Sequence, residues 1–198
     1  VYYKLNNSNE FTIRYEATTN KTTLVNLTQH TYFNLSGDAK RSIEEQEMFI
    51  NSDKVCEIDH QAIPTGNLID LSTDSIFNFK NKKLIGQDIN KEHIQLTYAK
   101  GYDHPWLLNE GDLAAQLYDP ISKRSMEIRT NQEAVVVYTM NHPNENKLTN
   151  GNSAPRRYAV CFETQAPPIG YNEVNKELSL LKPENKYYHE TTFAFKVK

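Results

Sequence analysis

Cysteine is scarce in this chain: only Cys56 and Cys161 occur among 198 residues. They lie too far apart, and in the wrong spacing, for a disulfide framework or a zinc knuckle, and they read as two buried thiols in a reducing compartment. Cytoplasmic location is the expectation. Charge of one sign is also lacking: 22 basic and 25 acidic residues leave a net charge of −3, with no long run of either. That excludes the electrostatic footprint of a nucleic-acid binder. No apolar run is long enough to span a bilayer, so no membrane partner is expected. Val1-Tyr2-Tyr3-Lys4 leads straight into strand-like sequence, so no signal peptide is expected. Phosphate loops, dinucleotide fingerprints, nucleophile elbows and H-E-x-x-H are absent, as are internal repeats and low-complexity segments. Helical periodicity is almost missing.

What is present is aromatic and strand-like. Twelve Tyr and eight Phe in a polar chain point to sheets with one wet face. The length suits one domain, residues 1–198, with a sizeable core. Residues 11–17 alternate cleanly, with apolar side chains at odd positions, the mark of a half-buried strand. A turn at Asn20-Lys21 precedes a second strand signal over 24–33. Its faces differ: Val25, Leu27 and Phe33 on one, and Asn26, Thr28, His30 and Tyr32 on the other. Such a row of hydrogen-bonding groups suits either a ligand surface or ordinary solvent. Residues 38–46 read as a short helix or a loop. Short strands are expected over 48–51 and 54–58, around Ser52-Asp53. Pro64-Thr65-Gly66-Asn67 reads as a turn, 82–86 as connection, and 101–105 as a loop leading to a strand at 106–108. A hairpin is expected from 113–118 and 125–129 around Asp119-Pro120. Residues 134–139 form a continuous apolar strand buried on both faces. A polar loop covers 141–155, and a last strand covers 191–197. Many short strands with turns between them mean an antiparallel β-sandwich.

The chain is organised around residues 158–165. Tyr158, Val160, Phe162 and Thr164 make a core face; Ala159, Cys161, Glu163 and Gln165 make the other. A Glu among apolar neighbours is either paired structurally or catalytic. Ala166-Pro167-Pro168 ends the strand beside it. Asp103 and His104 stand side by side before Pro105, which serves turn chemistry or a site equally well. His30, Asp103 and Glu163 are thus the polar candidates: an imidazole and a carboxylate facing one another make a general acid and a general base. His30, His104, His142 and Glu163 are the donors a metal would need. No two have the spacing of a ligand pair, so no metal is expected.

Three stretches then carry a resemblance. Asn26-Leu27-Thr28-Gln29-His30-Thr31-Tyr32-Phe33-Asn34-Leu35 resembles the N-L-T-x-H-x-Y-F-N-L motif of the galactose mutarotases (aldose 1-epimerases). Gly101-Tyr102-Asp103-His104 is similar to that family's G-Y-D-H, and Phe162-Glu163-Thr164-Gln165 to its L-E-T-Q. The resemblance runs in order along essentially the whole chain. It implies an all-β, antiparallel supersandwich that interconverts the α and β anomers of an aldose such as galactose or glucose, with no cofactor. By the same resemblance, Glu163 is the general base, His30 the general acid, and Asp103 a sugar-binding residue. Family chains are longer at the N-terminus, where they carry an Arg and another His of the sugar site. The resemblance therefore implies that this chain is the C-terminal portion and begins mid-sandwich. A shortened chain, a separate complementing N-terminal chain, or self-association into a homo-oligomer would each account for that. Met140 stands where the family usually has glycine. The alternatives to an epimerase are a non-catalytic sugar-binding module and an inactive remnant. An enzyme for hexose 6-phosphates is disfavoured, because no basic cluster adjoins the three motifs, although Arg156 and Arg157 precede the Glu163 strand.

Overall fold

The computed structural model describes residues 1–38, 40–142, 148, 151 and 153–197. In chain order the strands among them are β1 (Tyr2–Leu5), β2 (Glu10–Ala17), β3 (Thr23–Leu24), β4 (Glu47–Ile50), β5 (Ser52–Ile58), β6 (Pro64–Asp70) and β7 (Lys83–Leu84). There follow β8 (Asp103–Leu108), β9 (Ala115–Tyr118), β10 (Arg124–Thr130), β11 (Ala134–Tyr138), β12 (Cys161–Gln165), β13 (Leu180–Leu181) and β14 (Tyr187–Val197). A seven-stranded sheet has the order β1-β2-β14-β10-β9-β4-β7, and a five-stranded sheet the order β12-β11-β8-β5-β6. All recorded strand pairs are antiparallel. One hydrophobic cluster joins the two sheets: Ile13, Met48, Leu117, Ile128 and Phe193 from the larger meet Val55, Trp106, Val135, Val137 and Phe162 from the smaller. This is the antiparallel sandwich expected from the strand pattern. No helix among the described residues is long and apolar enough to cross a membrane.

Local pattern and observed element agree where both faces of a segment have clear jobs. Residues 11–17 lie in β2, with Ile13 and Tyr15 buried. The hairpin is β9–β10, paired Ser125 to Tyr118 and Met126 to Leu117. Its turn closes on the Asp119 carboxylate, which accepts the N–H groups of Ile121 and Ser122. Residues 134–138 are β11, central enough to be buried on both faces. The last strand is longer than its apolar signal, because Tyr187 to Glu190 also pair with β2. A short 3-10 helix, Ile43–Glu45, occupies the charged stretch.

Several expectations are corrected, among them the connection at 82–86, which holds β7, and the strand at 158–165, which is regular only from Cys161. The predicted strand over 24–33 is regular only at Thr23–Leu24, with a single bridge at Phe33 to Val160. Residues 64–67 do not turn: Pro64 opens β6, and Gly66, at φ +98°, sits beside the register shift between Cys56 and Ile58. A proline at the first strand position and a glycine at a bulge fit a strand as well as a turn. Residues 103–105 belong to β8 rather than to a loop. The short helix α1 (Ile94–Ala99) had no sequence signal; buried Gln95 ties it to the sheet by bonding both N–H and C=O of Ile58. The polar loop expected over 141–155 falls largely on 143–147, 149, 150 and 152, outside the described residues. The short strands on either side of Asn51 lie in different sheets, so the chain crosses the sandwich there.

Candidate active site

The site is built on one face of the five-stranded sheet. Strand register sets two transverse rows: Asp103, Tyr138 and Cys161 are cross-strand neighbours, and Pro105, Val136 and Glu163 are the next row. Because side chains alternate, the intervening row of His104, Val137 and Phe162 faces the core. Asp103 and His104 are therefore separated by the sheet itself. His104 is fully buried against Phe77 and Trp106, and burial with His93 nearby pushes its imidazole down to about 3, so it stays neutral. It is not part of the site.

His30 reaches this face from a segment that is not a strand. β12 is an edge strand, and an uncovered edge invites foreign pairing. Residues 26–29 cover it with side chains instead of backbone. The Asn26 amide donates to Ala166 O and accepts from Ala166 N; Thr28 Oγ1 donates to Thr164 O; Gln29 Nε2 donates to Phe162 O. Two of the four polar residues that suggested a ligand-lined strand face, Asn26 and Thr28, are thus used as a strap, together with Gln29. Only His30 and Tyr32 from that row remain for the cleft. Replacing Asn26 by Ala leaves the N–H of buried Ala166 without its acceptor and its C=O with only the 3.4 Å contact from Gln165 Nε2, so Asn26→Ala is expected to destabilise by about 1–3 kcal/mol. Chemical denaturation checks it, and an unchanged midpoint would show that the strap is dispensable.

The strap places His30 Nε2 3.2 Å from Glu163 Oε1, and His30 Nδ1 3.4 Å from Cys161 Sγ. The His30 ring lies 5.0 Å from that of Tyr32 and 5.8 Å, edge-on, from that of Tyr138. Half of the His30 side chain is exposed, against 14% for Glu163. Burial lifts the Glu163 carboxyl above its usual range; His30 opposes the rise and the Asp103 charge adds to it. Burial likewise pushes Asp103 up to about 6, with His30 pulling it back. The Cys161 thiol is raised by burial and by both carboxylates, so it remains protonated. The three residues singled out from sequence thus converge on one face. Cys161 and Tyr138 were not singled out; the alternation that placed Cys161 beside Glu163 was the signal available.

Met140 follows β11 at φ +46°, a conformation that favours glycine. Its side chain is buried against Ala154 and Ala159, which offsets the backbone cost. Next to it a cavity of about 390 Å³ is lined by Tyr32, Met140, Leu148, Tyr158 and Ala159 among others. The catalytic candidates lie outside it, on the open sheet face. Of the four donors considered for a metal, only His30 and Glu163 meet; with Cys161 their ligand atoms fall within 4.8 Å of one another.

Comparison with known proteins bears on this arrangement. The sequence model of a family described as Aldose 1-epimerase matches residues 1–194. A galactose mutarotase of Bos taurus is 32% identical over 192 residues, covering 95% of this chain and 54% of its own. An aldose 1-epimerase of Haemophilus influenzae is 33% identical over 201 residues, covering 99% of this chain and 58% of its own. The crystal structure of a galactose 1-epimerase from Lactobacillus acidophilus NCFM superposes with a TM-score of 0.85 at 29% identity, over 98% of this chain and 55% of that one. The chain spans about half the length of the curated relatives it matches.

Proposed function

The chain belongs to the aldose 1-epimerase family, and from that premise we propose that it interconverts the α and β anomers of an aldohexose by acid–base ring opening, with no metal or organic cofactor. The observation that carries this reading is the 3.2 Å contact between His30 and Glu163 on the cleft face. In a cyclic aldose the C1 hydroxyl and the ring oxygen are bonded to the same carbon. An acid and a base that serve both oxygens in one step must therefore stand close together, and these two do.

Glu163 takes the proton of the C1 hydroxyl. The electron pair of the O1–H bond becomes the second bond between C1 and O1, the pair joining C1 to the ring oxygen leaves with that oxygen, and His30 Nε2 delivers a proton to it. Rotation about C1–C2 turns the aldehyde, the ring oxygen adds to its other face, and both protons return. The raised Glu163 carboxyl is a stronger base than a free carboxylate, which suits removal of a weakly acidic hydroxyl proton. Asp103, in the row beside Glu163, accepts hydrogen bonds from sugar hydroxyls and fixes the pose. We read residues 1–198 as one portion of an epimerase domain and the cytoplasm as its place, given two unlinked cysteines. The exposed edge strand β1 suits pairing with a second copy or a complementing chain, which sedimentation would reveal.

Polarimetry of freshly dissolved α-D-galactose and α-D-glucose tests the activity. The folded chain is expected to hasten the approach to anomeric equilibrium. Sugar binding by calorimetry without acceleration would replace the epimerase reading with that of a binding module.

A further inference from the structure

We propose that His30, Cys161 and Glu163 also bind a single Zn²⁺ ion, and that the bound ion competes with the sugar. The donor set is one thiol sulfur, one imidazole nitrogen and one carboxylate oxygen, on three side chains that meet at one point of the cleft. Zn²⁺ takes such ligands at about 2.3 Å for sulfur and about 2.0 Å for nitrogen and oxygen, which in a tetrahedron puts neighbouring ligand atoms roughly 3.3–3.6 Å apart. The His30–Glu163 contact, 3.2 Å, and the His30–Cys161 contact, 3.4 Å, are each of that size, but the first is made by Nε2 and the second by Nδ1, so only one of them is an edge of the site and the ring must turn to present one nitrogen to both partners. The widest separation needs to shrink by about 1 Å from its 4.8 Å bound.

The scaffold supports this. Cys161 and Glu163 project from the same face of β12, two positions apart, so the sulfur and the carboxylate are held by the sheet. His30 is the adjustable member, half exposed and packed through ring edges on Tyr32 and Tyr138. Its open side is also the entry path and leaves a fourth coordination position to solvent. The Asp103 carboxylate, in the same transverse row as Cys161, adds negative charge without being a ligand. Binding replaces the Cys161 S–H bond with an S–Zn bond and releases the proton to solvent. A thiolate in the set selects Zn²⁺ or Co²⁺ over Mg²⁺ and Ca²⁺. The competition with sugar, though not the metal binding itself, rests on the epimerase reading, since the ion would occupy acid and base together.

Co²⁺ is the probe, because its absorbance reports a sulfur ligand. Titration of the purified chain is expected to give one equivalent of bound Co²⁺, a sulfur-to-cobalt charge-transfer band, and its displacement by Zn²⁺ but not Mg²⁺. The band is expected to vanish in Cys161→Ser and in His30→Asn and to persist in Cys56→Ser. His30 is exposed enough that its variant folds even if the buried Cys161 variant does not. Zn²⁺ is expected to slow mutarotation, with galactose reversing the effect. No band in the wild-type chain, or a band that survives His30→Asn, overturns the proposal. A band in a chain that never hastens mutarotation leaves the metal site standing and removes the epimerase reading; mutarotation without a band does the reverse.

Discussion

Glu163→Gln is expected to slow mutarotation by about 10²–10⁴-fold, the contribution of a well-placed proton-transfer group. Gln fills nearly the same volume and its amide oxygen still accepts from His30 Nε2, so the strap and the sheet face stay in place. What is lost is the ability to hold a proton. His30→Asn is expected to fall in the same range, since the departing ring oxygen then has no donor. Because acid and base act in one step, the double variant is expected to be little worse than either single one. Polarimetry at saturating sugar, with circular dichroism to verify the fold, makes the measurement. A full rate in either folded variant would remove that residue from the chemistry.

Asp103→Asn is expected to stabilise the fold above about pH 6 while weakening sugar binding. The Asp103 carboxyl sits at about 6 rather than its usual 3.8, because burial disfavours its charge. Between those values the folded protein binds more protons than the unfolded chain, so stability falls as pH rises, and the full penalty is present above about 6. A difference of this size, in which the attraction to His30 is already included, corresponds to on the order of 3 kcal/mol. Thermal melts at pH 4 and pH 8 separate the effect: the variant should gain over the parent at pH 8 and match it near pH 4. The Asp103 charge also raises Glu163, so its removal lets the Glu163 carboxyl fall. The acid limb of the rate profile, where Glu163 becomes protonated and inactive as a base, is therefore expected to move to lower pH in the variant. Equal melting at pH 8 would show that burial does not penalise the Asp103 charge, and an unmoved acid limb would show that Glu163 does not feel it.

Glu163 was legible because strand alternation is a local property. Two small residues and a carboxylate on one face of a segment whose other face is Val160, Phe162 and Thr164 can be read without knowing any partner. His30 was legible for a reason that proved incomplete. The pattern of 24–33 predicts a strand with a polar face of Asn26, Thr28, His30 and Tyr32, yet Asn26 and Thr28 spend their side chains on the backbone of the β12 edge, as does Gln29 from outside that face. Nothing local distinguishes an amide that faces a ligand from one that faces a carbonyl across a sheet edge. Asp103 and His104 made an apparent pair in sequence, and adjacency in a strand is what sends them to opposite faces.

By itself, then, the amino-acid order determined which segments can bury one face, where the apolar central strand β11 runs, and which side chains share a face with Glu163. These follow from side-chain period and from the free energy of burying apolar surface, both set within a few residues. The order also carried three motifs whose resemblance named a family. The tertiary structure decided what depends on distant pairing: which edge β12 presents, how the strap covers it, and the crossing between sheets at Asn51. It alone put the imidazole of His30 against a carboxylate and a thiol 131 positions further along for the sulfur. Register between strands far apart in the chain is a cooperative outcome of packing two sheets on one core, and no local pattern contains it.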